Sequence, residues 1–260
     1  MIVAIDGKGL LHRIWHAAAS TGPPGTMCTM ASQFLERVAR ELAPDAWLIA
    51  WERRGPTWRH QLWPQYKAGR KTNQLLIDEL KRFEAWASER KIPMVERDGY
   101  EADDILASVS TYSPAAIDDS VLLLSDDKDV LQCLRGGVRV LKFNGWRRGS
   151  GLAGAWDEFR FYREWGVVPD LLPDLLALMG DESDNIPGLV GVGKKRAMNL
   201  VAAHGGIEQI AEASPATKET RRVADNLEQL VAWRKVCTLE GGLDVYDQWA
   251  PVPASMERGA

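Results

Sequence analysis

Two hydrophobic rhythms divide the chain. Up to about residue 150, short apolar runs alternate with stretches whose apolar positions recur every three or four residues. The runs at 2–6, 46–51, 92–96, 120–125 and 138–142 predict strands, with Pro93 weakening the third. Residues 28–42, 74–90 and 102–112 predict helices. In the second of these, Leu76, Leu80, Phe83 and either Trp86 or Ala87 share one face. From about residue 157 the pattern is helical and broken by turns, clearest at 192–203, 207–213 and 220–236. After residue 248 a Pro-, Val-, Ala- and Ser-rich end reads as a loose tail. Strands alternating with helices predict an α/β fold, a mostly parallel sheet with helices on both faces, followed by a helical region.

Composition narrows the class. The 260 residues are 45% apolar and 26% charged, which excludes a disordered or collagen-like chain. No run approaches the roughly 18 apolar residues of a membrane span. The N-terminus has no basic stretch, and Asp6 interrupts its apolar run, so it does not read as a signal peptide. Cys28, Cys133 and Cys237 are far apart and in no zinc spacing, as expected of reduced thiols in a cytoplasmic protein. The four histidines, at 12, 16, 60 and 204, do not form HExxH, which argues against a zinc hydrolase. The 11 tryptophans read as packing residues rather than a cofactor site.

In an open parallel sheet, ligands bind beyond the carboxyl ends of the strands. Here those ends are acidic. Asp6 follows the first strand. Glu101, Asp103 and Asp104 follow the third, and Asp127 and Asp129 follow the fourth. Asp181 and Asp184, spaced i,i+3 in LMGDESDNIPG, can point the same way from one turn. Any one of these acids could simply cap a helix. Eight gathered together would repel and need cations, and all-oxygen ligands suit Mg²⁺ or Mn²⁺. Net charge is −4, but setting the eight aside leaves 28 acids against 32 bases. A mildly basic surface around an acidic pocket suits a polyanion met through metal ions.

Two further segments point the same way. Residues 53–71, RRGPTWRHQLWPQYKAGRK, hold six basic residues (Arg53, Arg54, Arg59, Lys67, Arg70 and Lys71) and no acid. Interleaved Trp58, Trp63 and Tyr66 offer faces for unpaired bases. Gly188 to Lys194 has P-loop spacing, but Lys195 replaces the Ser or Thr that would hold Mg²⁺, and no strand precedes it. A dinucleotide fingerprint fails because Arg196 stands where the third glycine belongs. The better reading is a helix–turn–helix. Its Gly191 and Gly193 let backbone N–H groups meet a DNA phosphate, with Lys194, Lys195 and Arg196 beside them.

The segments AIDG, GPTWRHQLWPQYKAGR, GYEADDILA, SDDKDVLQ and LMGDESDNIPGLVGVGKKRA occur in an order that resembles the 5′-nuclease superfamily. That superfamily contains the 5′→3′ exonuclease domain of bacterial DNA polymerase I, phage 5′-exonucleases and flap endonucleases. The resemblance runs from about residue 1 to 240. It implies a PIN-like core over 1–170 with a helical arch at about 66–90, and a helix–three-turn–helix DNA-binding region over 171–260. The implied activity is metal-dependent hydrolysis of DNA at 5′ flaps, nicks, gaps and free 5′ ends, by a two-metal-ion mechanism in a monomer without organic cofactor.

By the same resemblance, Asp6, Glu101, Asp103 and Asp127 would form an inner metal site, and Asp129, Asp181 and Asp184 an outer one, with Asp104 an eighth ligand. Lys67 and Arg70 would contact the scissile phosphate, and Arg54, Arg59 and Tyr66 would lie along the DNA path. Main-chain carbonyls of Leu178, Met179, Pro187, Leu189 and Val192 would hold a K⁺. Two positions depart from the family: Glu52 stands for the usual aspartate after the second strand, and Asp126 for a glycine. If position 126 needs positive φ, aspartate tolerates it better than most residues. Two alternatives remain. One is a weak or inactive structure-specific DNA-binding paralogue; the other is a PIN-type ribonuclease.

Overall fold

The computed structural model describes residues 1–19, 22–69, 73–111, 120–214, 216–245 and 248–252. Five parallel strands, β1 (Ile2–Asp6), β2 (Ala46–Ala50), β3 (Met94–Val95), β4 (Val121–Leu124) and β5 (Val138–Leu141), form one sheet in the order β3-β2-β1-β4-β5. The helices are α1 (Gly7–Ile14), α2 (Thr26–Leu42), α3 (Trp58–Leu62), α4 (Gln74–Glu89), α5 (Ala102–Thr111), α6 (Glu158–Trp165), α7 (Leu172–Met179), α8 (Lys194–His204), α9 (Ile207–Ala211), α10 (Lys218–Asp225) and α11 (Leu227–Cys237).

Strand periodicity explains the layers. Successive side chains point to opposite faces. Val3, Ile5, Trp47, Ile49, Leu122 and Leu124 therefore bury one face against α1, α2 and α4. Ala4, Leu48, Leu123 and Val140 bury the other against α5 and the C-terminal helices. Both faces are covered, so the strands read as continuous apolar runs. The third strand is short, as Pro93 suggests, although the carbonyl of Pro93 still accepts from Ile49 at 2.8 Å.

Two expectations need correction. The helix predicted over 220–236 is two. Asn226, at φ −120° and ψ 17°, ends α10, and its side chain donates to the Arg222 carbonyl at 2.8 Å. The end of the chain is not loose through residue 252, because Ala250 exchanges two backbone hydrogen bonds with Trp47 at the β2 edge. Of the segment expected as an arch at about 66–90, residues 70–72 lie outside the described residues, and the helical part is α4. Helix α4 buries Leu76, Ile77, Leu80, Phe83 and Ala87 and belongs to the core.

The parallel register levels the strand ends. Ile5 pairs with Ile49 on one side and Leu124 on the other. The sheet order reverses direction between β1 and β4, so Asp6 and residues 125–129 flank a topological switch point.

Candidate active site

The first carboxylate is fixed by the helix that follows it. Asp6 caps α1, with Oδ1 accepting from Gly9 N–H at 2.7 Å. Its Oδ2 accepts from Ser125 Oγ at 2.9 Å, and Ser125 Oγ in turn accepts from Asp127 N–H at 3.1 Å. Ser125 thus ties the β1 and β4 ends together. Burial raises the Asp6 carboxyl to about 6 despite these donors, with Asp127 and Glu52 adding repulsion.

Beyond β4 the chain enters a short 3₁₀ turn at Asp129–Cys133. Asp127 Oδ1 accepts from Asp129 N–H at 2.9 Å. Asp129, Asp181 and Asp184 each place a carboxylate oxygen within 4.8 Å of the other two. Asp181 is held rigidly. Its backbone exchanges two 2.8 Å hydrogen bonds with Ile186, and its Oδ1 accepts from Ser183 N–H at 3.0 Å and Ser183 Oγ at 2.7 Å. Its remaining oxygen accepts from Lys128 Nζ at 2.6 Å. Burial would raise the Asp181 carboxyl, but Lys128 and Ser183 outweigh it and hold it low. Burial, then the neighbouring Asp127, pushes Asp129 well up, and burial raises Asp184 as well.

Lys67 closes the other side. Its backbone N–H donates to the Asp184 carbonyl at 3.2 Å, and its Nζ lies 2.8 Å from Glu101 Oε1 and 3.9 Å from Asp184 Oδ1. Its φ of 51° is a left-handed conformation that costs a lysine on the order of 1 kcal/mol. Trp63 Nε1 donates to Asn185 O at 3.0 Å and Asn185 Nδ2 donates to Gln65 O at 2.8 Å, so the 63–67 stretch is laced to the acidic turn. Burial opposes the charge of Lys67, but Glu101, Asp103 and Asp184 outweigh it and raise its pKa. Glu101 also accepts from Tyr66 Oη at 2.7 Å and Arg59 at 3.1 Å; burial opposes its charge, yet Lys67 and Arg59 hold its carboxyl below the ordinary range. Burial pushes the neighbouring Asp103 well up, and its Oδ1 accepts from Asp104 N–H at 2.8 Å.

Several expected roles change. Asp104 is wholly buried, and both its oxygens are held by Arg59, at 2.8 and 2.7 Å, and by the N–H groups of Glu240 and Glu101. It faces the interior rather than the acidic bowl. Arg59 is 1% exposed and Tyr66 2%, so neither lies along a DNA path. Trp58 donates to Asp104, and Trp63 packs edge-on against Trp233 at 6.0 Å. The aromatics of this segment serve packing, not base stacking. Arg53 pairs with Glu96 and Asp98, while Arg54 stays exposed. Arg70 and Lys71 lie outside the described residues.

The two departures from the family are accommodated. Glu52 Oε1 lies 3.1 Å from Lys8 Nζ, and its Oε2 lies 3.5 Å from Ala102 N at the start of α5. Asp126 pairs with Arg13 at 2.8 Å and is not among the positive-φ residues. The conformational reason offered for aspartate there therefore does not apply.

At the glycine turn, Gly180 and Gly188 cross backbone to backbone. A Cβ on Gly188 would lie 2.3 Å from Gly180 N, so no side chain fits. The Leu178 carbonyl accepts from Leu189 N–H and the Leu189 carbonyl from Val192 N–H, both at 2.8 Å. Helix α8 starts at Lys194 without a side-chain cap, and Lys194, Lys195 and Arg196 are exposed there. Arg196 donates to Gly191 O at 2.7 Å, and Arg222 from α10 donates to Val190 O. Sequence reading missed Arg222, Ser125, Ser183 and Lys128. Only Lys128 left a trace, as a lone base inside an acidic run.

Comparison with known proteins decides the family. Residues 1–165 match the model of the 5′-3′ exonuclease N-terminal resolvase-like domain, and residues 167–255 that of the 5′-3′ exonuclease C-terminal SAM fold. The chain belongs to the 5′-3′ exonuclease family. A relative named 5′-3′ exonuclease from Bacillus subtilis is 30% identical over 220 residues, covering 81% of this chain and 73% of its own length. DNA polymerase I of Pseudomonas aeruginosa is 32% identical over 219 residues, but the chain spans only 23% of that protein. A bacteriophage T5 flap endonuclease, solved as a pseudo-enzyme-product complex with DNA and metal ions, has the same fold. Its TM-score is 0.76 at 21% identity, over 92% of this chain and 89% of that one. Among the described residues of this exonuclease-family chain, no helix is long and apolar enough to cross a membrane.

Proposed function

We propose that this chain is a divalent-metal-dependent 5′-nuclease that hydrolyses DNA phosphodiesters at 5′ ends and flaps. The observation that carries the reading is the convergence of Asp129, Asp181 and Asp184 beside Lys67, next to the β1–β4 switch point. The donor set suits a hard cation. It is all carboxylate, and Asp129 Oδ1 is buried without a hydrogen-bond partner. The family relatives, and the phage T5 protein crystallised with DNA and metal ions, support the same activity.

In this reading Asp6, Asp103 and Asp127 would hold one ion, and Asp129, Asp181 and Asp184 a second; Glu101, expected in the inner site, is instead engaged by Arg59, Tyr66 and Lys67. Two such ions, when bound, supply a nucleophile from water and offset charge on the leaving oxygen. The chain does the positioning. Glu101, anchored by Arg59 and Tyr66, orients Lys67 at the rim, where its ammonium offsets charge on the scissile phosphoryl group. By the family resemblance, Arg70 would share that role. The glycine turn with Lys194, Lys195 and Arg196 grips duplex phosphates without reading bases. Carbonyls at Leu178, Met179, Pro187, Leu189 and Val192 would hold a K⁺ there, those of Leu178 and Leu189 through the lone pair left by their bonds to Leu189 and Val192 N–H. Arg54 lies on the DNA approach.

Product mapping on a 5′-labelled flap and a nicked duplex tests this, in DNA and in RNA, with Mg²⁺ or EDTA. The expected result is Mg²⁺-dependent DNA cleavage near the junction. Asp127→Ala abolishes cleavage while leaving DNA binding in Ca²⁺ within a few-fold. Full activity of Asp127→Ala, or equal cleavage in EDTA, overturns the reading.

A further inference from the structure

The cluster of Asp129, Asp181 and Asp184 already has a cation of its own. Lys128 Nζ lies 2.6 Å from Asp181 Oδ2 and 3.5 Å from Asp129 Oδ1. It therefore sits against two of the three carboxylates whose oxygens lie within 4.8 Å of one another. We propose that Lys128 is a resident counter-ion of the outer metal site, and that a divalent ion enters by displacing its ammonium from Asp181. The inference rests on the functional reading above and adds to it a competitor supplied by the chain itself.

The geometry makes the competition specific. Asp181 has only one oxygen to offer. Its Oδ1 is committed to Ser183 N–H and Ser183 Oγ, and its Oδ2 is held by Lys128. The two backbone hydrogen bonds to Ile186 fix its main chain, and Ser183 fixes the Oδ1 edge of its carboxylate. The Mg²⁺ ion takes oxygens at roughly 2.0–2.1 Å in strict octahedral geometry. An ammonium 2.6 Å from the same oxygen leaves no room for both along one approach. Lys128 is the movable partner: its side chain is one-third exposed and reaches solvent by rotating its stem. The second observation is at Asp129. Its Oδ1 is buried with no hydrogen-bond partner, and the ammonium at 3.5 Å is too distant and too singly charged to satisfy it. Among the described residues, Lys128 alone faces both Asp129 and Asp181, while Lys67, 3.9 Å from Asp184, is shared with Glu101; the negative excess that remains is relieved better by a divalent ion than by a lysine.

The exchange also gives the metal-free protein a way to keep these acids together. Lys128 would hold the bowl assembled until an ion arrives, and the cost would be a weaker outer site. The same charge that stabilises the metal-free fold therefore opposes loading.

The test compares wild type with Lys128→Met and Lys128→Arg, measuring Mn²⁺ binding by calorimetry and thermal stability in EDTA. Lys128→Met keeps the apolar stem and removes the charge. Its weaker Mn²⁺ site is expected to tighten about tenfold, a difference of 1.4 kcal/mol. Its midpoint in EDTA falls below wild type, and Mn²⁺ restores more of it than in wild type. Lys128→Arg stays near wild type in both. The wild-type protein supplies a direct structural readout: the Lys128 ammonium resonance, visible in EDTA, is lost on Mn²⁺-free Mg²⁺ saturation as the group moves into solvent. Unchanged or weaker Mn²⁺ binding by folded Lys128→Met, or an ammonium still protected at saturating Mg²⁺, overturns the exchange. Absence of Mn²⁺ binding in wild type would instead sink the functional reading itself.

Discussion

Arg59 and Asp104 form a bidentate ion pair in the interior, Nη1 to Oδ2 at 2.8 Å and Nη2 to Oδ1 at 2.7 Å. The guanidinium also donates to the carbonyls of Val236, at 3.0 Å, and Thr238, at 3.4 Å. One pair thus joins α3, α5 and the chain leaving α11. Removing one partner strands a buried charge, which costs about 3–5 kcal/mol. Arg59→Ala is expected to lower unfolding free energy by that amount in a denaturant titration. A loss under about 1 kcal/mol would show that the pair is not structural.

The Asp6 carboxyl sets a pH dependence in the metal-free protein. Its folded pKa of about 6 lies above the ordinary 3.8. Between those values the folded state holds a proton that the unfolded chain has lost, so stability falls as pH rises through this window. Above about pH 6 both states are ionised and the loss is complete. At about 1.4 kcal/mol per pKa unit, the loss approaches 3 kcal/mol. In EDTA, Asp6→Asn should gain on wild type by about 2–3 kcal/mol between pH 4 and pH 7, then stay level. A constant difference across that range would remove the desolvated carboxylate from the account.

Lys67 offers a kinetic prediction. It is oriented by Glu101 and held in a left-handed backbone conformation. Lys67→Ala is expected to slow single-turnover cleavage of a 5′-flap by about 10²–10³-fold, while duplex affinity in Ca²⁺ changes far less. An unchanged single-turnover rate counts against its role.

Much of the architecture was legible in the sequence because strand periodicity and acidic strand ends are local signals. Asp6, Asp127, Asp181 and Asp184 stand where a parallel sheet and a tight turn leave ligands. Residues whose meaning depends on a distant partner were not legible. Six basic side chains between 53 and 71 look alike in sequence. Yet Arg59 is buried by Asp104, Arg53 is neutralised by Glu96 and Asp98, and Lys67 faces the acids. Asp103 and Asp104 are adjacent and look alike in sequence, yet Arg59 holds both oxygens of Asp104, whereas Asp103 Oδ1 accepts from the Asp104 N–H. The break at Asn226 lies within a continuous helical pattern, and only its side-chain bond to Arg222 O marks it. Helix α4 was read correctly as amphipathic, and its apolar face packs with the sheet residues.

The most direct measurement is anomalous diffraction from crystals soaked in Mn²⁺. The account expects one peak among Asp129, Asp181 and Asp184, with Lys128 Nζ withdrawn from Asp181, and a second near Asp6 and Asp127. Crystals that show no anomalous density at either place, with Lys128 still on Asp181 at saturating Mn²⁺, would contradict it.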